Sequence, residues 1–504
     1  MIYRLELALL LFLYGTAALF LLGYSLAQLH LVFIYLKKRK KSTSGFAAVR
    51  SALPEPLPYV TVQLPVYNEL YVIQRLLDAV SRLNYPRDRL EIQILDDSTD
   101  ETTSLIEHML PELKDRGLQV VHLRRQHRSG FKAGALAYGL EQARGSFIAI
   151  LDADFVPHPD FLLRALSHFS DPQVGVVQGR WGHINRDYSL LTELQAMALD
   201  AHFTVEQAGR NSAGFFINFN GTAGVWRKSC IVSSGGWATD TLTEDLDLSY
   251  RAQRLGWRFV YVEDLVVPAE LPVTLEAVRS QQFRWNKGAA ECARKHLVSV
   301  LKDRLPLTVR IHAFFHLLNS TAFLAILLMA LLSVPVAMLK RYHPDHPLWM
   351  VLAVLSLWSL VNFGLFFWTS YKAHHERETS LLHFVKRYLL LLTVYLGLSL
   401  QNALAVLEGL LGRSTAFVRT PKFNVRRKGE EWRHNRYVTH RLGGSVVAEG
   451  LLGLFFAAAV LISVWRQEWM MVAFHLLLAI GFIWVFVVSL VHARRRLEVR
   501  VAQA

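Results

Sequence analysis

Asp152 and Asp154 stand two residues apart in "FIAILDADF", directly after an apolar run. Carboxylates at that spacing can hold one hard divalent cation, which in turn grips a diphosphate. A D-x-D triplet is more often a solvated turn, but this one closes a run that reads as a buried strand. A second acidic pair, Asp96 and Asp97, closes "LEIQIL" in the same way. Glu244 and Asp245 open a helical pattern, "TLTEDLDLSYRAQRLGW" (241–257), with Thr243 at the N-cap position. Acids in a first turn complement the helix dipole, and that alone accounts for both. A chemical role requires one of them to act as a general base in the pocket of the other acids. In "QQFRWNKG" (281–288), helical spacing puts Gln281, Arg284 and Trp285 on one face. An amide, a fixed cation and a large aromatic suit a membrane-surface helix or a ligand-facing one.

These residues need a frame. The stretches 59–67, 90–98, 118–125 and 146–155 are short, apolar and rich in β-branched residues, and each is followed by a helical pattern. Strand–helix alternation predicts an α/β fold with a parallel-rich sheet and helices on both faces. Ligands of such sheets sit outside the carboxyl ends of the strands, where both acidic pairs lie. No G-x-G-x-x-G opens a helix after the first strand and no G-x-x-x-x-G-K-[ST] occurs, which argues against a dinucleotide dehydrogenase and a P-loop NTPase.

The chain has 504 residues, a formal charge of +14 and 52% hydrophobic residues, unevenly distributed. The run 7–35 is long enough to span a bilayer and too long for a signal-peptide core. "KKRKK" (37–41) follows it and marks the cytoplasmic side. Five further apolar runs lie at 311–338, 349–371, 388–411, 446–465 and 469–491. The basic stretches 413–441 and 493–500 should also be cytoplasmic. Three runs separate the polar region from 413–441, and three crossings would put the two on opposite sides. The run 388–411 carries Gln401, Asn402 and Glu408, so it is read as an interfacial or re-entrant helix. This leaves five spans, with the N-terminus outside and the C-terminus inside. The positive charge is therefore topological; without base-stacking aromatics on a basic domain face, no nucleic-acid partner is expected. Cys230 and Cys292 are too few for a disulfide framework or a zinc site and fit a reducing compartment.

"DDS", "DAD", "TED" and "QQFRW" occur in this order on a strand–helix framework followed by membrane helices. In this the chain resembles the membrane-embedded family 2 inverting glycosyltransferases, the cellulose, hyaluronan and chitin synthases. "FNFNGTAGVWRKS" (217–229) and "QQFRW" are similar to the cellulose synthase-like mannan and glucan synthases of plants. The resemblance runs from about residue 59 to 422. It implies a GT-A-type domain in which Asp96 and Asp97 contact the donor nucleoside and Lys132 lies near the nucleotide. It implies that Asp152 and Asp154 hold Mg2+ or Mn2+ on the diphosphate and that Asp245, next to Glu244, is the base. Gln281, Arg284 and Trp285 would line the acceptor and diphosphate side. "FVRTPK" (417–422) resembles the gating loop of cellulose synthases, with Arg419 where the family has Val. That loop would bring Thr420 and Lys422 to the substrate, and Arg419 and Lys422 could reach phosphates. As a plain sequence it is a basic juxtamembrane loop.

The implied organisation is an anchor with a basic flank at 1–41, a cytoplasmic catalytic domain at 42–300 and membrane helices at 301–504. The last part holds the interfacial helix at about 388–411 and the gating-like loop at about 413–428, with no regulatory domain expected after the last span. The implied activity is processive, metal-dependent transfer of a hexose from a UDP- or GDP-linked donor to a growing β-linked glucan or mannan. The protein would be multi-pass in the inner or plasma membrane, with accessory export proteins as possible partners. One alternative is a glycolipid synthase acting on ceramide or diacylglycerol; another is a transporter or receptor with a degenerate domain, which the intact acids argue against. Asn319, Trp358, Asn362 and Trp368 are candidates to line a sugar path or to join helices. The five-span topology places residues 414 and 343 on opposite sides. Single cysteines at Ser414 and His343 should react with a membrane-impermeant label from opposite faces; labelling from one face overturns the topology.

Overall fold

The computed structural model describes residues 2–39, 53, 55–340, 342, 345–375, 380–432, 434–437 and 443–503, of which 2–7 and 494–503 by backbone only. Lys40, Lys41, His343 and the end of the basic loop at 438–441 lie outside the described residues. Seven strands form one sheet in the order β3-β2-β1-β4-β6-β5-β7. They are β1 (Val60–Val66), β2 (Leu90–Asp96), β3 (Gln119–Arg124), β4 (Phe147–Ile150), β5 (Val174–His183), β6 (Gly224–Arg227) and β7 (Arg258–Ala269). Strands β1 to β4 pair in parallel, as do β5 and β7, while β6 runs antiparallel between β4 and β5. The first four strands match the alternating pattern. The other three were not anticipated.

The central strands are buried on both faces, which is why they read as near-continuous apolar runs. Helices Ile73–Ser81, Thr102–Asp115 and Phe161–Leu166 cover one face with Ile73, Leu76, Ile106 and Phe161. Helix Phe131–Gln142 covers the other, together with Phe203, Phe219 and Leu248. Leu31, Val32 and Tyr35, at the end of helix Ile2–Arg39, belong to this second core, and the Tyr35 hydroxyl donates to Glu263 of β7 at 3.1 Å. The apolar N-terminal helix is thus joined to the sheet layer itself.

Among the described residues, five helices are long and apolar enough to cross a membrane: Ala8–Arg39, Thr321–Lys340, Leu348–His374, Gly444–Trp465 and Trp469–Ala493. The run expected at 311–338 divides into helices Leu307–Leu317 and Thr321–Lys340, where the Thr321 N–H and hydroxyl both return to the Leu318 carbonyl. The run singled out by parity is the one that bends. Helices Leu381–Gly397 and Ser399–Leu410 meet at 53°, and would make a sixth span if the pair crosses as one. At the bend the backbones nearly touch: a Cβ on Gly397 would lie 2.3 Å from the Gly481 carbonyl oxygen.

Helix Leu275–Lys302 joins the sheet layer to the spans. Thr274 caps it, its hydroxyl accepting from the Ala277 N–H at 3.3 Å. One turn in, Arg279 makes a fork-to-fork contact with Glu449 of the Gly444–Trp465 helix, 2.9 Å on one arm. Its other donors reach Gln401 at 2.7 Å and Ser489 at 3.3 Å. Both charges are buried. Removing one partner strands the other, so Glu449→Ala should destabilise the protein by about 3–5 kcal/mol. Thermal unfolding of the solubilised variant measures this; an unchanged midpoint would mean that the pair carries no structural weight.

Candidate active site

The carboxyl ends of β1, β2, β4, β5 and β7 open into one cavity of about 180 Å3. Asp97, Lys132, Asp152, Asp154, Glu244, Asp245, Gln281, Arg284, Trp285, Thr420 and Lys422 all line it. Asp96 does not. As the last residue of β2 it points to the opposite side from Asp97 and is 1% exposed. Its carboxylate accepts from the Ser98 N–H, the Thr103 hydroxyl and His122 at 2.8, 2.8 and 3.0 Å. Burial alone would raise its pKa, but these hydrogen bonds hold it at about 2. Asp96 therefore braces the turn that presents Asp97, and Asp97 is gripped from both oxygens by Arg125.

Asp152 and Asp154 lie in the turn after β4. Lys132 donates to Asp152 Oδ1 at 2.6 Å and to the Gly221 carbonyl at 2.9 Å. Burial works against the Lys132 charge, but Asp152 and Glu244 outweigh it and keep its pKa above the usual value. Asp154 is buried; Lys422 donates to its Oδ2 at 2.8 Å, while Oδ1 has no hydrogen-bond partner among the described residues. A buried, unsatisfied carboxylate oxygen beside a second carboxylate fits a hard cation. Among the described residues no three His, Cys, Asp or Glu side chains form a cage, so ligand oxygens would complete the shell of any ion held here.

Glu244 and Asp245 begin helix Glu244–Arg254. Thr243 takes the N-cap position without a side-chain cap bond; its hydroxyl lies 3.4 Å from Cys292 Sγ instead. The turn is held from outside. The Leu242 N–H donates to Glu291 at 2.8 Å, and Gly288 allows helix Leu275–Lys302 to approach, since a Cβ there would lie 2.5 Å from Thr243 Cγ2. Gly221, at φ +78°, likewise leaves room for Asp245: its Cβ would sit 3.0 Å from Oδ2. Burial, then the Glu244 charge, push the Asp245 pKa up to about 7, and burial raises Glu244 as well. Both carboxylates thus face the cavity, although helix-dipole complementation would have explained them.

The segment 417–422 lies across the cavity mouth. Phe417 stacks on Phe131 with centroids 5.5 Å apart, and the Arg284 guanidinium sits 4.7 Å from the Phe417 centroid while donating to Thr420 Oγ1 at 2.8 Å. Arg419 is turned to Glu69 at 3.1 Å and to the Tyr67 carbonyl at 3.0 Å, so it is occupied at the end of β1. Glu270 fixes the far end, accepting from the Phe423 and Asn424 N–H groups at 2.6 and 2.9 Å.

A second cavity, of about 310 Å3, shares Asn220, Asp245, Gln281 and Trp285 with the first and runs between the apolar helices to Tyr24, Asn319, Phe323 and Tyr395. Of the four residues expected to line a path or join helices, Asn319 lines this cavity. Asn362 is buried and donates to Ser25 at 3.1 Å, Trp368 packs on Tyr371 and Phe384, and Trp358 faces outward. His183, Glu69, Arg128 and Glu270 line the first cavity without having been expected. His183 and Glu270 follow from strands β5 and β7, whose carboxyl ends would have pointed to them.

Removal of the Asp245 proton acceptor tests the site most directly. Asp245→Asn should lower turnover by about 10²–10⁴-fold with nucleotide binding retained by calorimetry. If Asp245 only complements the dipole, the substitution costs at most about 1 kcal/mol of stability and leaves turnover intact. A base is inactive when protonated, so a pKa raised to about 7 predicts a rate that climbs with pH through neutrality. Glu244→Gln removes a charge that raises that pKa, and should move the climb to lower pH; an unmoved profile would separate the two carboxylates.

Residues 57–288 match a family model described as "Glycosyltransferase like family 2". Glucomannan 4-beta-mannosyltransferase 2 of Arabidopsis thaliana is 43% identical over 252 residues, covering 49% of this chain and 47% of that protein. Glucomannan 4-beta-mannosyltransferase 1 of Cyamopsis tetragonoloba is 38% identical over 340 residues, 64% of this chain and 65% of that protein. The chain spans about half the length of the first of these relatives. Among solved structures, a mannosyltransferase of Pyrobaculum calidifontis in complex with GDP-Man and Mn2+ is similar with a TM-score of 0.51 at 22% identity, covering 72% of this chain and 100% of that one. A likeness of that degree shows a common fold.

Proposed function

We propose that the chain is a family 2 glycosyltransferase of the cellulose synthase-like type, a reading supported by the match over residues 57–288 and by relatives 38% and 43% identical, and that it transfers a hexose with inversion from a nucleotide sugar to a growing β-linked glycan at a membrane. The observation that carries this reading is the convergence of Asp152, Asp154 and Asp245 on one cavity that continues past Trp285 between the apolar helices. Mannose carried as GDP-mannose is the donor proposed, since the relatives are named glucomannan mannosyltransferases and the solved neighbour holds GDP-Man.

Asp152 and Asp154 would hold Mg2+ or Mn2+, which supplies charge neutralisation to the departing diphosphate. The chain's own cations surround the same place. Lys132, Lys422 and Arg284 now face carboxylates or a hydroxyl, and a diphosphate would draw them to its oxygens. Asp97, at the β2 end, lies where a nucleoside is expected, and Thr420 and Lys422 close the mouth over it. Asp245 takes the proton from the acceptor hydroxyl as that oxygen attacks the anomeric carbon on the face opposite the leaving diphosphate; this displacement inverts the centre. The Trp285 ring offers a flat apolar surface to the acceptor sugar. Gln281, one turn earlier on the same face, offers an amide to its hydroxyls. The second cavity would receive the lengthened chain, on a site placed at the cytoplasmic face of the cell membrane.

Purified protein in lipid nanodiscs, given GDP-mannose, GDP-glucose, UDP-glucose and UDP-N-acetylglucosamine in turn with Mn2+ or Mg2+, should release nucleotide and build a polymer from at least one donor. Asp154→Asn should abolish this release and weaken metal-dependent nucleotide binding. A product that extracts into organic solvent with one or a few sugars would establish the glycolipid alternative. No release from any donor, or chelator-resistant activity in the variant, would overturn the reading or its metal.

A further inference from the structure

Lys287 is fully buried, yet it touches neither cavity and has no part in the chemistry above. It lies three residues after Arg284 on helix Leu275–Lys302, in "QQFRWNKG". Its ammonium has three oxygen partners: the Arg413 carbonyl at 2.6 Å, Glu408 Oε2 at 3.3 Å and the Thr415 hydroxyl. Thr415 in turn donates to Glu408 Oε2 at 3.0 Å. All three partners lie at the end of helix Ser399–Leu410 or just beyond it, where the chain departs toward Phe417–Lys422. The two helices touch at the same level, since a Cβ on Gly409 would lie 2.5 Å from the Lys287 carbonyl oxygen. A lysine satisfies three donors at once from a point charge, and burial here leaves it no water to turn to.

We propose that Lys287 is a positioning residue that fixes the root of the 416–422 segment against the helix bearing Arg284 and Trp285. This rests on the transferase reading only for the consequence, not for the contact. The segment, within which Arg419 holds Glu69 at 3.1 Å, is moored at its two ends, by Lys287 at its start and by Glu270, with Arg75 donating to it at 3.2 Å, at its end. Seven residues, 416 to 422, are left between them. With the root held, Phe417 reaches Phe131 and Arg284, Thr420 reaches Arg284, and Lys422 reaches Asp154. Because Lys287 and Arg284 share one helix, the root cannot shift without shifting relative to the very group it must meet. Freed of Lys287, Arg413 and Thr415 are left with their helix-end bonds to Glu408, at 3.0 Å each, and closure over the donor becomes a search by a longer loop.

Val418 is 54% exposed, and both native cysteines are buried, so a nitroxide on Val418→Cys reports on the segment alone. The test compares Lys287→Met with the compensated pair Lys287→Met/Glu408→Gln, which removes the stranded carboxylate and protects the fold. In the resting protein the spectrum should be restricted with Lys287 present and mobile in both variants. With GDP-mannose and Mn2+, kcat should fall about tenfold or more, while binding of GDP, measured by calorimetry, stays near that of the parent. A restricted reporter, or an unchanged kcat, in the folded variants overturns the proposal. Failure of the parent protein to turn over any nucleotide sugar refutes the transferase reading instead, and the resting spectra then decide the role of Lys287 by themselves.

Discussion

Charge balance in a crevice is the constraint from which the rest of this structure follows. Asp97, Asp152, Asp154, Glu244, Asp245 and Glu270 line one cavity at the carboxyl ends of the strands, where burial pushes up the pKa of Glu244, Asp245 and Glu270. They are held by cations from separate parts of the chain: Arg125 on Asp97, Lys132 on Asp152, Lys422 on Asp154, Arg75 on Glu270. Breaking any of these pairs leaves a buried charge whose cost exceeds that of a surface ion pair. In the function proposed, a polyanionic ligand would meet these cations, and each lysine in the cavity would exchange its carboxylate for the ligand's oxygens.

That balance requires the chain after the sheet to return to the sheet. Lys422 lies 268 residues beyond Asp154 in sequence, with two membrane-type helices and the bent pair between them. Helix Leu275–Lys302 makes the return possible. Arg279 ties it to the Gly444–Trp465 helix and to Gln401, and Lys287 ties it to the end of helix Ser399–Leu410. Gly288 and Gly409, on the two packed helices, permit the backbone approaches that bring Asp245 and the segment root to the level of Trp285. The opening choice between a membrane-surface helix and a ligand-facing one was thus too narrow: one helix serves both, by different residues of the same turns.

Much of the site was legible because its carriers are local. An acidic pair at the end of an apolar run is visible without any contact, and ten of the residues expected from "DDS", "DAD", "TED", "QQFRW" and "FVRTPK" stand together with Lys132 around one cavity, Asp96 excepted. Asp96 was misplaced because a strand end carries two neighbouring acids on opposite faces, and the side on which the cavity lies depends on what covers the sheet. His183 and Glu270 were overlooked with strands β5 and β7, which were not read as strands and so offered no carboxyl ends to inspect.

Composition and periodicity alone determined the alternation of strands and helices, the position of the acidic turns, the five long apolar helices and the odd polar run among them, since these depend on residues within a turn or a strand of one another. Tertiary structure alone decided which acid faces the ligand, which lysine answers which carboxylate, and what a fully buried Lys287 is for. Those are contacts between residues on different elements, from Lys132 with Asp152, 20 positions apart, to Lys287 with Glu408 and Lys422 with Asp154, 121 and 268 apart. Nothing in the local pattern of either partner sets the distance between them; only the packing of the helices that carry them does.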